Sequence, residues 1–197
     1  MEGEQLMAKA GKHGVTSKTP KNIEFGAATV HKNVDLESLD LDSTIIGATS
    51  GGSKVTITPE FTPIEVDGAL VKVKGLIKKT GEAVLIEINF IELSKDIIKS
   101  AIVGKDGTTS NAAYDLIESK ANIEAGDYLE NICLAGQTVD GTNIIFVAEN
   151  VLCTSGFELE TKNKEAGVVT LTFECHADVD SDLDTLPYHI FYPKTTA

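Results

Sequence analysis

Between Leu70 and Ile91 apolar and polar residues alternate. Val71, Val73 and Ile77 stand against Lys72, Lys74 and Lys78, and Val84, Ile86, Ile88 and Phe90 then recur at every second position. A period of two puts successive side chains on opposite faces of a strand, so the segment predicts two strands with one apolar face each. Lys79-Thr80-Gly81-Glu82 has the chemistry of a turn, and the pattern predicts a hairpin that pairs Ile77 with Val84 and sets Lys74 opposite Glu87. The period then changes. Leu93, Ile97, Ile98, Ala101 and Ile102 fall on one helical face, with Ser94 placed as a cap and Gly104 as a stop.

Two further hairpins are expected downstream. Tyr128 to Gly136 and Asn143 to Leu152 flank Asp140-Gly141, and Phe157 to Lys162 and Val168 to Ala177 flank Lys164 to Gly167. In the last of these Phe157, Leu159, Val169, Leu171, Phe173 and Cys175 share the inner face. Glu158, Glu160, Thr170, Thr172, Glu174 and His176 share the outer one. Pattern alone reads that outer face as the solvated side of an ordinary sheet. The expected fold class is mainly β, an antiparallel β-sandwich or barrel with one short flanking α-helix and a long loop.

That loop is expected over residues 43–63, where Gly47, Gly51 and Gly52 follow the acidic run of Asp35, Asp40 and Asp42. Residues 1–22, rich in Lys, Gly, Thr and Ser, read as an N-terminal arm. Residues 23–184 read as one β domain and residues 185–197 as a C-terminal arm.

Composition narrows the function. A chain of 197 residues buries one full core, and its formal charge is -13. Every basic residue other than histidine is a lysine; without arginine, the bidentate reading of guanine is not available. An acidic surface instead repels a passing polyanion over about one Debye length, ~8 Å at physiological salt. Cys133, Cys153 and Cys175 are odd in number and sit in apolar runs, as buried free thiols in a reducing compartment do. Neither an export signal nor a membrane span is expected.

Candidate chemistry is sparse. Residues Gly47 to Lys54 approach a phosphate-binding loop, but a serine stands where the lysine is required and the strand formers Val55 to Thr58 follow in place of a helix. Asp178, Asp180, Asp182 and Asp184 resemble the opening of a calcium loop, yet Leu183 occupies the glycine position and His189 the glutamate position. Cys175 and His176 are adjacent and so point to opposite faces of a strand. His13, His31 and His189 lack nearby cysteines. No catalytic residue, cofactor or metal is expected, and the chain is not expected to be an enzyme.

Ile46-Gly47-Ala48-Thr49-Ser50-Gly51-Gly52 followed by Glu65-Val66-Asp67-Gly68 resembles the "I-G-x-T-x-G-G" and later "E-x-D-G" of siphophage major tail tube proteins. Asp127-Tyr128 with Asn131 and Gly136, Ala148 to Val151, Thr172 to Ala177 and Leu186 to Pro193 continue in that family's order, so the likeness covers about residues 23–193.

The resemblance implies a virion protein, made in the host cytoplasm, whose hexameric rings stack into a hollow tube. Phage DNA would pass through that tube without specific binding. Itself, a tape measure protein and tail-terminator or baseplate proteins would be its partners, with no membrane. On that reading the lumen face would carry Lys74, Glu87, Asn89, Glu158, Glu160, Thr170, Thr172 and Glu174. Ring stacking would use the loop with Gly47, Gly51, Gly52, Lys54, Glu60 and Phe61, stiffened by Pro59 and Pro63, together with the two terminal arms. A non-catalytic β binding module of a baseplate or adhesin is the alternative. The absence of tryptophan and a total of four tyrosines speak against it.

Overall fold

The computed structural model describes residues 14–16, 18–24, 26–181 and 183–194. In chain order its elements are α1 (Thr19–Asn22), β1 (Thr29–Lys32), β2 (Thr49–Pro63), β3 (Ile77–Phe90), α2 (Lys95–Ile102), β4 (Gly104–Gly107), β5 (Leu116–Ser119), β6 (Leu129–Gln137), β7 (Asn143–Cys153), β8 (Val169–Cys175) and β9 (Tyr188–Phe191), with a single 3-10 turn at Ala125–Asp127. The protein is mainly β, and every strand pair is antiparallel.

The main sheet runs β1-β6-β7-β8-β3-β2, with β9 also on β7, while β4 and β5 pair separately. Strand β7 changes partner along its length: Ile145 to Ala148 pair with β9, and Val151 to Cys153 pair with β8. Asn150, at φ 49°, lies between the two stretches. Asparagine tolerates that left-handed conformation better than most residues, so the kink that splits the sheet sits where its cost is low.

One core cluster draws on both parts of the sheet. Val84, Ile86, Ile88 and Phe90 of β3 and Val169, Leu171 and Phe173 of β8 are buried with Ile132 and Leu134 of β6 and Phe146, Ala148 and Val151 of β7. Helix α2 adds Ile97 and Ala101 to it. At its start the Ser94 hydroxyl accepts from the Ile97 amide at 3.3 Å, as the sequence predicts. Its end differs from expectation: Val103 rather than Gly104 takes the left-handed position, at φ 49°, and its amide donates to the carbonyls of Lys99 and Ser100. A β-branched residue is costly there, about 1–2 kcal/mol.

The other face of β6 and β7 is covered by the loop after β1. Val34 packs with Cys133, Ile145 and Val147, and Leu36, Leu39 and Leu41 close over them. Asn131 holds the loop down, its Oδ1 accepting from the Val34 amide at 2.8 Å and its Nδ2 donating to the Val34 carbonyl at 2.9 Å.

Four expectations are corrected. The stretch around Lys79-Thr80-Gly81-Glu82 is not a turn but lies inside β3, whose partner is β2: Ile57 faces Val84, Ile77 faces Pro63, and Lys54, not Lys74, faces Glu87. Chain reversal falls to residues 64–76, where Gly68 and Gly75 adopt φ 84° and 90°. Residues 49–63 of the expected long loop are therefore strand.

The third hairpin lacks its first strand, because 157–162 is irregular. Strand β8 pairs with β3 on one side and, through Phe173 to Cys175, with Val151 to Cys153 on the other, where the Thr154 amide donates to the Thr172 carbonyl. Finally, the segment expected as a C-terminal arm supplies β9, flanked by Pro187 and Pro193. The N-terminal arm lies largely outside the described residues, as do His13 and Asp182. Its last part includes α1, where Asn22 Oδ1 accepts from the Tyr192 hydroxyl at 2.7 Å.

Candidate functional site

The register of β2, β3 and β8 decides which polar residues meet. With Val55, Ile57, Ile86, Ile88, Leu171 and Phe173 turned into the core, Lys54, Thr56 and Thr58 of β2 share the opposite face with Leu85, Glu87 and Asn89 of β3 and Thr170, Thr172 and Glu174 of β8. Lys54, Glu87 and Thr172 form one row across the three strands. Asn89 and Thr170 form the next, and Leu85 stands between Thr56 and Glu174.

Asn89 is fixed from both sides. Its Oδ1 accepts from the Thr170 hydroxyl at 2.6 Å and its Nδ2 donates to the Gly52 carbonyl at 3.0 Å. The amide thus ties β8 to the start of β2, where Gly51 and Gly52 absorb a register shift between Thr49 and Ser53 at φ 88° and 83°. This face carries the Asn89 amide, the hydroxyls of Thr56, Thr58, Thr170 and Thr172, and Glu87 and Glu174 against Lys54.

Five of the eight expected lumen residues therefore come together: Glu87, Asn89, Thr170, Thr172 and Glu174. Lys74 does not, since it lies on the exposed connection between β2 and β3. Glu158 and Glu160 also leave the face, because their segment is not a strand. The expected stacking residues are scattered. Gly47 precedes β2, and a Cβ there would meet Ile97 Cδ1 at 3.2 Å; Gly51 and Gly52 form the bulge; Lys54 joins the polar face; Glu60 and Phe61 lie further along β2.

That end of β2 belongs to an arm the sequence reading missed. Thr58 to Pro63 pair with Ile77 to Ala83, with a register shift at Glu60/Phe61 that leaves out Thr80, and they carry a tip closed by Ile64 donating to the Leu76 carbonyl at 2.8 Å. Phe61, Ile64, Val66, Val71, Val73 and Ile77 are exposed, and Leu70 is 99% exposed. A signal was present: Pro63, Gly68 and Gly75 punctuate an apolar stretch that has no second apolar stretch to pack on.

The two edges of the sheet are treated differently. Outside β1 the chain lies alongside through an Ile45 bridge to His31, Lys32 donating to the Thr44 carbonyl and Ile46 donating to the Val30 carbonyl. Among the described residues no strand pairs with the outer side of β2, which is 15 residues long.

Titratable groups elsewhere have structural surroundings. His31 is buried between the hydroxyls of Thr44, 3.0 Å from Nδ1, and Thr29, 2.8 Å from Nε2. Burial pushes its pKa below the ordinary imidazole value, more than the Leu41 carbonyl raises it. Burial likewise pushes the Cys133 and Cys175 thiols up to about 11, and the Cys175 thiol donates to the Glu149 carbonyl. His189 contacts Glu149 at 2.9 Å. Asp178 accepts from the Asp180 amide within its own turn.

Among the described residues no three His, Cys, Asp or Glu side chains converge as metal ligands, and no helix is long and apolar enough to cross a membrane. No protein-family model matches the chain, and no curated protein is significantly similar to it.

Proposed function

We propose that the chain is a structural subunit that closes into rings and polymerises into the hollow tail tube of a long-tailed phage, with the β2–β3–β8 polar face lining the lumen. The observation that carries this reading is the open 15-residue edge of β2, continuous with that face. At about 3.3 Å per residue such an edge offers ~50 Å of unpaired backbone groups, a template for pairing with another chain. Since residues 44–46 already cover β1, pairing the β2 edge with an extended segment of the next subunit around a closed ring satisfies those groups and covers the edge.

Hydroxyl and amide groups with an excess of carboxylate suit a wall along which DNA moves without adhering. An arginine-free chain of formal charge -13 offers no bidentate grip on phosphate and repels a polyanion overall. Under this reading the subunit is a sandwich closed by α2, the arm from Thr58 onward makes the axial contact, and the tail is its location in the virion. A tape measure protein within the tube and terminator or baseplate proteins at its ends would be its partners.

Negative-stain electron microscopy of the concentrated full chain tests this. Hollow filaments of uniform diameter are expected, whereas a persistent monomer would favour the binding module and overturn the tube.

A further inference from the structure

The arm between β2 and β3 differs in charge from the rest of the molecule. Its second limb places Lys72, Lys74, Lys78 and Lys79 within ten residues that contain no acid, and Glu65 and Asp67 are the acids of the tip. In a chain of formal charge -13 the arm is therefore a local excess of cations, mixed with exposed Leu70, Val71 and Val73. Such a surface suits an acidic, partly apolar partner, and the body of a second copy of this chain is one.

The same molecule presents a matching surface at the other end of the same strands. The arm leaves β3 at Ile77; Phe90 at the far end of β3 pairs with Val169, and Val168 beside it is exposed. Next to it Phe157 and Leu159 are also exposed, with Leu159 folded back against Gly167. Glu158, Glu160 and Glu165 are interleaved with them and exposed; Lys162 and Lys164 lie on the same segment, which leaves it one net negative charge, and Lys162 pairs with Glu160 at 3.2 Å. Fourteen residues of β3 hold the two surfaces apart by roughly 45 Å.

We propose that the basic arm of one copy docks on the 157–168 surface of the next, its lysines on Glu158, Glu160 and Glu165 and its apolar tip on Phe157, Leu159 and Val168. A contact between opposite ends of one molecule is head-to-tail, and with the two ends separated along the strands it propagates a filament in that direction wherever its rotation does not close a ring. This deepens the tube reading by naming the surface that receives the arm. It gives the three exposed glutamates a role as docking partners, although two of them were expected in the lumen.

Charge swapping in the full chain tests the contact. One variant carries K72E, K74E and K78E, leaving Lys79 with its partner Glu82. A second carries E158K, E160K and E165K, and a third carries all six. By light scattering at 0.15 M NaCl, each three-site variant alone should need at least about tenfold more protein to assemble than the wild type. An equimolar mixture of the two, and the six-site variant, should return to within about threefold of it, since every arm then meets an opposite charge. Carbodiimide coupling of the wild type should join Lys72, Lys74 or Lys78 of one copy to Glu158, Glu160 or Glu165 of another.

The contact is overturned if the E158K, E160K, E165K variant assembles like wild type, or if neither the mixture nor the six-site variant recovers. Hollow tubes without recovery remove this contact and leave the tube. Recovery in solid strands that never close removes the tube and leaves the contact. A wild type that stays monomeric removes both, and its co-flotation with phosphatidylserine vesicles would assign the arm to anionic lipid.

Discussion

Lys54 stands directly across the β2–β3 ladder from Glu87, whose neighbour on the other side is Thr172. The lysine opposite Glu87 thus comes from an edge strand, and the polar face carries one cation, Lys54, against Glu87 and Glu174. Under the tube reading, reversing both acids should convert a wall that DNA passes without adhering into one that holds it. Both side chains are half-buried on a polar face, so Glu87→Lys with Glu174→Lys should cost little stability, about 0.5 kcal/mol each. Assembled protein of this variant should retain duplex DNA at 50 mM salt and release it near 200 mM, with a salt slope steeper by about one unit per added lysine. Glu158→Lys with Glu160→Lys should leave DNA retention unchanged. Equal retention by the two variants would remove the β2–β3–β8 face from the lumen.

The bulge that starts β2 isolates a backbone effect. Gly52 has φ 83°, and a Cβ built there would meet no atom within 4 Å, so substitution strains the main chain without a clash. Gly52→Ala should lower unfolding stability by roughly 1–2 kcal/mol, and Gly52→Asn by less, because asparagine tolerates the left-handed region. Urea denaturation of the three proteins reads this directly. An alanine variant as stable as the parent would mean that residue 52 does not hold positive φ in solution.

How legible the fold was depended on whether an element's neighbours were local. The β6–β7 hairpin and the Ser94 cap of α2 follow from residues close in sequence, and both form as expected. Strand β2 did not read as a strand because Pro59, Pro63, Gly51 and Gly52 signal loop. Its place at the edge of the sheet is what lets prolines sit in it, since one side of the strand makes no ladder bonds. The 157–162 segment alternates like a strand but is irregular, while β8 takes its partners from β3 and from Val151 to Cys153 of β7, long-range pairings that no local pattern encodes. For the same reason Glu87, Asn89, Thr170, Thr172 and Glu174 share one face, whereas Lys74 lies on the β2–β3 connection and Glu158 and Glu160 on an irregular segment.

His31 should make stability depend on pH in a defined direction. Its folded pKa is depressed, chiefly by burial, below the ordinary 6.5, so the unfolded chain takes up its proton first as pH falls. The stabilisation is complete above pH 6.5, begins to be lost as pH drops below it, and is gone once the folded pKa is passed. His31→Asn keeps a polar side chain near Thr29 and Thr44 but removes the proton. The difference in unfolding free energy between parent and variant should shift against the parent from pH 7 to pH 5. A difference that stays constant over that range would show that the imidazole titrates alike in both states.

Salt should act on assembly in two opposite ways, and distance separates them. Subunits of formal charge -13 repel one another over the Debye length, ~30 Å at 0.01 M and ~8 Å at 0.15 M, so raising salt through that range should promote polymerisation. Pairs between the arm lysines and Glu158, Glu160 and Glu165 act across a few ångströms and largely survive that change. At 1 M the Debye length falls to ~3 Å, these exposed pairs are screened as well, and their contribution fades. Light scattering of the wild type should therefore pass through a maximum between about 0.1 and 0.5 M NaCl. The K72E, K74E, K78E variant has no such pairs and an added load of negative charge, so its scattering should rise monotonically with salt. A wild type whose scattering falls steadily from 0.01 M would mean that long-range attraction rather than repulsion governs encounter.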